Sequence, residues 1–141
     1  MWGPVLVFLG GGLGAVGRYA LASWLDGHEP LRRAAGQQFP VGTLAVNLTG
    51  CLLIGVVAGV LLAQEAGGSA RAGSRLLLVV GVLGGFTTFS SFALEALGLA
   101  HQGRIGQALG YVLASNVLGV LAAAAGGWAA AVVVGGGAGG R

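Results

Sequence analysis

Four apolar stretches dominate the hydrophobic pattern of the chain. They cover residues 4–25, 41–63, 75–100 and 105–125, and the last extends to 134 if the following alanines and valines are included. Each stretch is long enough to cross a bilayer, which takes about 20 apolar residues in a helix. Short polar or glycine-rich connectors join them. The pattern therefore predicts an all-α membrane domain of four transmembrane helices over residues 1–134.

The composition narrows the class of protein further. Hydrophobic residues make up 55% of the 141 residues and charged residues only 8%, whereas a soluble domain carries about 25% charged residues. A surface this poor in charge would aggregate in water, and intrinsic disorder needs the opposite balance. No basic residue precedes Arg18, so the N-terminal stretch is predicted to be a retained span and not a signal peptide. Residues 135–141 are predicted to form a flexible glycine-rich tail.

The basic residues bear on partners and on orientation in the membrane. The net charge is +3, and the arginines are scattered singly or in pairs, whereas nucleic-acid binding needs a clustered basic face. One side of the predicted membrane receives Arg71, Arg75 and Arg141, and the other receives Arg32, Arg33 and Arg104. The positive-inside rule sets no orientation for such a tally. The balanced tally predicts insertion in both orientations and an antiparallel homodimer, unless a feature not visible in the sequence fixes the orientation.

The glycines of the first span admit two interpretations. Residues 12–17 match the dinucleotide-binding pattern GxGxxG, but that pattern has meaning only in a βαβ unit with an acidic residue about 20 positions on. The nearest acids, Asp26 and Glu29, lie in a connector. Glycines four residues apart instead share one helix face and allow close helix packing. The spacing occurs at Gly10/Gly14, Gly55/Gly59, Gly81/Gly85 and Gly106/Gly110, which predicts a tight bundle.

The third span contains a segment that disfavours a continuous helix. Two glycines, Gly84 and Gly85, precede Thr87 and Thr88, and glycine and threonine are poor helix formers. The hydroxyls also compete for backbone partners. A break is predicted about 14–18 Å into the span, where irregular backbone survives only if it is buried in protein or lines a cavity. Freed carbonyls could bind a cation there; a kink without a ligand is the alternative.

Two polar residues in the first half of the sequence are candidates for function. Arg18 lies about 21 Å along the first span, where its guanidinium either reaches the headgroups or forms a vestibule that attracts anions. Asn47 lies in the second span with Thr43 one turn before it on the same face. Its amide either joins two helices by a hydrogen bond or offers donors to a ligand.

Candidates in the second half of the sequence share helix faces. Phe89 and Phe92 are three residues apart, with Glu95 further along the same face. These rings serve packing unless their polar neighbours Ser90 and Ser91 mark a pathway, and Glu95 is expected near the membrane interface. In the fourth span, Tyr111, Ser115 and Gly119 are spaced by four. They either pack as a small-residue face or present one hydroxyl, and the adjacent Asn116 is expected to point elsewhere.

Taken together, these motifs resemble the Fluc (CrcB) fluoride channels. The matching pieces are residues 11–15 leading to Arg18, residues 39–43 leading to Asn47, residues 84–92 with Glu95, and the spaced set of the fourth span. The resemblance covers all four spans in order, and the string from Gly84 to Phe92 is its most specific part.

The resemblance implies an antiparallel, dual-topology homodimer with two fluoride pathways and a structural sodium ion at its centre. It assigns the sodium to the backbone carbonyls of Gly84 and Thr87 from both subunits. It places Arg18 at the vestibule. It assigns the pathway to Asn47, Phe89 and Phe92, with Ser90, Ser91, Ser115, Thr43 and Glu95 as supporting polar groups.

The function implied by the resemblance is passive export of fluoride across the inner (plasma) membrane, which relieves toxicity, and not an enzymatic reaction. One alternative is a small dual-topology multidrug exporter, which needs a membrane-embedded acid, usually in its first span; no acid precedes Asp26 here. The other alternative is a non-transporting assembly protein. It would explain the glycine spacing but not the string from Thr87 to Phe92.

Overall fold

A computed structural model describes residues 2–36, 38–63 and 72–138 of the chain, and its regular elements are helical. In chain order they are α1 (Gly3–Asp26), α2 (Glu29–Ala35), α3 (Val41–Ala63), the π-helix π1 (Arg75–Leu83), α4 (Gly84–Phe86), α5 (Phe89–His101) and α6 (Ile105–Ala138). Four segments are long and apolar enough to cross a membrane: Gly3–Asp26, Val41–Leu61, Ala72–His101 and Ile105–Val134. The predicted all-α architecture with four spans is confirmed.

Helix α6 is longer than the apolar pattern predicts. It runs to Ala138, so the predicted start of the tail at residue 135 falls inside the helix. Adding a residue to an existing helix gains one hydrogen bond without a new nucleation step, and this offsets the cost of about 1 kcal/mol for each glycine. Residues 139–141, including Arg141 of the charge tally, lie outside the described residues, as does Arg71.

The short helix α2 lies in the connector for which no regular structure was predicted. It begins with Glu29 and has Pro30 in its first turn, where the fixed φ of proline favours a helix start. Arg33 Nε lies 3.3 Å from Glu29 Oε2 at the i,i+4 spacing. Both side chains are mostly exposed, so the pair adds little stability.

Close contacts at glycines hold the spans together in two pairs, α1 with π1 and α3 with α6. A methyl group at Gly10 would lie 2.9 Å from the Cα atom of Gly81, and one at Gly59 would lie 2.7 Å from the Cβ atom of Ala130. Neither pair leaves room for a side chain. Methyl groups at Gly106 and Gly110 would meet nothing within 4 Å. The close packing predicted from the four-residue spacing is therefore found at Gly10/Gly14, Gly55/Gly59 and Gly81/Gly85. It is not found at Gly106/Gly110, which contact no other part of the described chain.

The third span is interrupted where the sequence predicts a break. Thr87 (φ −80°, ψ 154°) and Thr88 (φ −146°, ψ 115°) are extended between α4 and α5. The preceding turns are wound as the π-helix π1, which the sequence does not predict. π-Helical turns are rare and occur often at functional sites.

One buried apolar cluster lies beside the second half of this span, between α5 and α6. Its buried members are Phe92, Leu99, Ala108 and Tyr111, whereas Val46, Leu83 and Ala130 are buried outside it. At the same end, the Gly42 N–H donates to Asp26 Oδ1 over 3.1 Å, which satisfies one of the unpaired N–H groups at the start of α3. The end of α1 is thereby tied to the start of α3, the helix that carries Asn47.

Candidate functional site

The side chain of Asn47 clamps the break in the third span. Its Nδ2 donates to the Thr88 carbonyl oxygen over 3.1 Å, and its Oδ1 accepts from the Thr88 N–H over 2.9 Å. An amide side chain can satisfy both groups because it carries a donor and an acceptor side by side. Asn47 is thus the group from α3 that replaces the helical partners of Thr88.

Threonine hydroxyls complete the local structure of the break. Thr87 Oγ1 donates to the Leu83 carbonyl oxygen over 2.9 Å. Thr88 caps α5, because its Oγ1 accepts from the Ser91 N–H over 3.2 Å and donates to Ser91 Oγ over 3.1 Å. This is the side-chain competition for backbone partners that favours a break over a continuous helix.

These contacts divert the donors that two carbonyl groups would otherwise use. In a continuous α-helix the N–H of Thr88 would reach the Gly84 carbonyl, and the N–H of Ser91 would reach that of Thr87. The first donates to Asn47 and the second to Thr88 Oγ1. Carbonyl oxygens are ligands suited to a hard cation. The carbonyl oxygens of Gly84 and Thr87 therefore fit the sodium ion that the family resemblance implies.

A cavity of about 330 Å³ adjoins the break and is lined from α3, the third span and α6. It brings together most of the residues singled out from the sequence. Those in its lining are Asn47, Gly84, Thr87, Phe89, Phe92 and Ser115. Residues more than 60 positions apart in the sequence thus converge on one site.

A second cavity of about 280 Å³ is lined by residues of α1, α3 and α5 and by Thr88 at the break. Its lining includes Arg18, Thr43 and Ser91. Thr88 lines both cavities, so the two cavities adjoin at the break. The sequence does not predict this division of the candidate residues into two groups.

Each cavity is lined by one residue that has a buried polar atom without a hydrogen-bond partner among the described residues. These atoms are Arg18 Nε, beside the second cavity, and Ser115 Oγ, beside the first. Arginine can only donate, and a serine hydroxyl has one donor hydrogen. A buried polar group left unpaired costs about 1–3 kcal/mol. Each cavity is therefore bordered by a residue with one donor that no described residue uses.

A run of aromatic rings leads away from the first cavity. The ring centroids of Phe89 and Phe92 are 5.4 Å apart, those of Phe92 and Tyr111 are 5.2 Å apart, and those of Tyr111 and Phe39 are 5.5 Å apart. Phe92 is buried, whereas Phe89 is 79% exposed in the single chain. Aromatic edges carry partial positive charge, so rings at a cavity wall can contact an anion.

Glu95, which the sequence places near the membrane interface, accepts hydrogen bonds from two other helices. Its Oε1 accepts from Thr43 Oγ1 over 2.7 Å, and its Oε2 accepts from the Tyr111 hydroxyl over 2.8 Å. Tyr111 is fully buried and Thr43 nearly so. These two hydrogen bonds join α3, α5 and α6 through Glu95.

Asn116 lines the first cavity, whereas Ser90 lines neither of the two cavities. Asn116 was expected to point elsewhere, but it lines the first cavity together with Ser115; that expectation was wrong because the cavity is wide enough to be lined by adjacent residues of one helix. Ser90 is exposed, and its Oγ lies 3.3 Å from Thr88 Oγ1. It lines neither of the two cavities described.

The fold and the site together define a small multi-pass membrane protein whose broken third helix borders two cavities with both polar and apolar lining residues. Residues 5–127 match the family model of the CrcB-like proteins, described as camphor resistance (CrcB). The chain is 46% identical to the fluoride-specific ion channel FluC of Agrobacterium fabrum over 117 residues, which cover 83% of this chain and 86% of that protein.

Two further relatives have the same name. The FluC proteins of Anaeromyxobacter dehalogenans and Thermus thermophilus are each 45% identical over 119 residues, which cover 84% of this chain and 86% of each relative. The extent of the match and the identities show that the chain belongs to the CrcB family. The resemblance stated from the motifs is confirmed.

Proposed function

We propose that this chain forms a fluoride-specific channel in the plasma membrane, which lets fluoride leave the cell down its gradient. The observation that carries the proposal is the cavity at the broken third helix of a CrcB family member, where a few polar groups stand in a mostly apolar wall. Its lining includes Asn47, Phe89 and Ser115, whose hydroxyl has no partner among the described residues. A passive pore needs no catalytic groups, so the proposed protein is a channel and not an enzyme.

The chemistry of the cavity suits a small, strongly hydrated anion. Hydrogen-bond donors from Asn47 and Ser115 replace part of the hydration shell, and the edges of Phe89 and Phe92 offer weaker positive charge. Conduction requires binding that is favourable enough for entry and weak enough for release. Donors and ring edges in one wall provide this balance better than a fixed cation would.

The second cavity provides the vestibule in this proposal. Arg18 attracts the anion to the polar space that contains Thr43 and Ser91, and Thr88 borders the way to the first cavity. A positive group in a low-dielectric cleft raises the local concentration of anions. Glu95 supports the pathway by holding Thr43 and Tyr111 in place, and Ser90 supports it through Thr88.

The proposal includes a structural sodium ion held by the carbonyls of Gly84 and Thr87. When bound, the ion supplies positive charge that offsets converging carbonyl dipoles. The diverted donors of Thr88 and Ser91 support this assignment. The chain's own part is to hold the break open through Asn47 and through the cap at Thr88.

The proposal also includes an antiparallel dual-topology homodimer. The balanced tally of three arginines on each side, read from the sequence, supports insertion in both orientations. The exposure of Phe89 in the single chain supports a second copy that covers this ring and completes the pathway. The alternatives, an exporter and an assembly protein, have no observation of comparable weight.

Growth in fluoride tests the proposed function in cells. A bacterial strain that lacks its own fluoride exporter is given this chain or the Phe89→Ile/Phe92→Ile double variant, at equal amounts in the membrane. We expect the unmodified chain to restore growth in fluoride medium and the double variant to fail. A strain that stays fluoride-sensitive with the unmodified chain correctly inserted would contradict the proposal.

A further inference from the structure

The polar side chains of the first cavity differ in how many donors they can still offer. The hydroxyls of Thr87 and Thr88 already donate, to the Leu83 carbonyl oxygen and to Ser91 Oγ. Asn47 uses one of its two N–H groups on the Thr88 carbonyl oxygen, and one remains. The Ser115 hydroxyl has no partner among the described residues. The residues singled out from the sequence therefore contribute two donors to an anion in this cavity.

Asn116 contributes a third donor to the same cavity. Its Nδ2 donates to the Val112 carbonyl oxygen over 2.7 Å. Because a carbonyl oxygen can only accept, this contact fixes which side of the amide carries the nitrogen. The amide has two N–H groups, so one remains for a ligand. The side chain is exposed in the single chain and lines the cavity next to Ser115.

We propose that Asn116 donates a hydrogen bond to fluoride in the first cavity, alongside Ser115 and Asn47, and that this donor contributes to anion selectivity. The inference rests on the proposed channel function. The bond to Val112 holds the side chain in one conformation, so little rotamer freedom is lost when the ion binds. A third donor also replaces more of the hydration shell that fluoride gives up on entry.

Three substitutions and one control test this role. Asn116→Asp keeps the shape but removes both N–H groups and adds negative charge, Asn116→Leu removes the amide, and Asn116→Ser keeps one donor. The control is Gln102→Glu, the same amide-to-carboxylate change at an exposed position in the connector between α5 and α6. Fluoride and chloride efflux are measured from liposomes with equal amounts of each protein over a range of fluoride concentrations.

We expect Asn116→Asp and Asn116→Leu to slow fluoride efflux by about tenfold, as the loss of a hydrogen bond to a charged ligand implies. The control should match the unmodified chain. Asn116→Ser should need more fluoride for half-maximal flux but reach a similar maximum. A residue that served only the fold would lower the flux at all concentrations without shifting half-saturation.

Two results would separate this inference from the proposed function. If the unmodified chain conducts fluoride and the Asp and Leu variants conduct equally well, the role of Asn116 is refuted and the channel function stands. If the unmodified chain does not conduct fluoride, the channel function itself fails. Should the Asp and Leu variants fail to fold, unchanged half-saturation in Asn116→Ser would overturn the inference.

Discussion

Replacing Asn47 by alanine should loosen the break in the third span. The substitution removes the donor to the Thr88 carbonyl oxygen and the acceptor of the Thr88 N–H. Each such bond contributes about 1 kcal/mol net, so the two bonds together contribute about 2 kcal/mol. At 1.4 kcal/mol for each factor of ten, local opening should rise by about 30-fold.

Amide hydrogen exchange at Thr88 measures this opening directly. In Asn47→Ala the exchange rate of the Thr88 N–H should rise by about 30-fold, and fluoride flux should fall because Asn47 also lines the first cavity. Thr49→Ala is the matched control, since a residue two positions further along α3 lies on a different face. It should leave both readouts unchanged.

Each readout can refute a different part of this reasoning. Unchanged exchange at Thr88 would show that the Asn47 clamp does not stabilise the break. Faster exchange with unchanged flux would leave Asn47 as a bond between helices and remove it from the ion pathway. Only a change in both agrees with the two roles assigned to this side chain.

Three further predictions concern the rings, the packing and the orientation. Phe89→Ile or Phe92→Ile should cut fluoride flux from liposomes while the dimer survives on size-exclusion chromatography; normal flux in both variants would refute the contact with ring edges. Gly14→Ala should lower the free energy of unfolding by about 1–3 kcal/mol, because its methyl group would clash with the Val82 carbonyl oxygen. Gly12→Ala, whose methyl group meets nothing within 4 Å, should be tolerated, and equal stability of the two variants would contradict the packing account. Two arginines added to one side should trap one orientation and abolish flux when that variant is expressed alone, whereas full activity would contradict the antiparallel dimer.

The sequence predicts the spans and the break because both follow from local composition. The second span, 41–63, has the predicted bounds, since Pro40 and the polar residues after Ala63 limit the apolar run. The break follows from the glycines and threonines between Gly84 and Thr88. The sequence also contains a helix-start pattern for α2, because an acidic residue, Glu29, is followed by Pro30 in the first turn. This pattern would have predicted the short helix.

The arrangement of the candidate site depends on contacts between residues that are far apart in the sequence. No local pattern shows that Asn47 holds both backbone groups of Thr88, or that Glu95 accepts from Thr43 and Tyr111. The position of Asn116 in the cavity wall depends on how α6 is rotated against α3, and close contacts such as that of Gly55 with Ala123 set this rotation. Residue spacing alone gives a face of one helix, not the neighbour that it meets.

The proposed fluoride channel is tested most directly by ion efflux from liposomes that contain the purified chain, with fluoride and chloride electrodes read in parallel in sodium buffer. The account predicts rapid loss of fluoride and little loss of chloride, since the donors of Asn47 and Ser115 and the rings of Phe89 and Phe92 border one cavity. A folded, correctly inserted protein that releases neither ion, or that releases both equally, would contradict a fluoride-specific pathway at the broken helix.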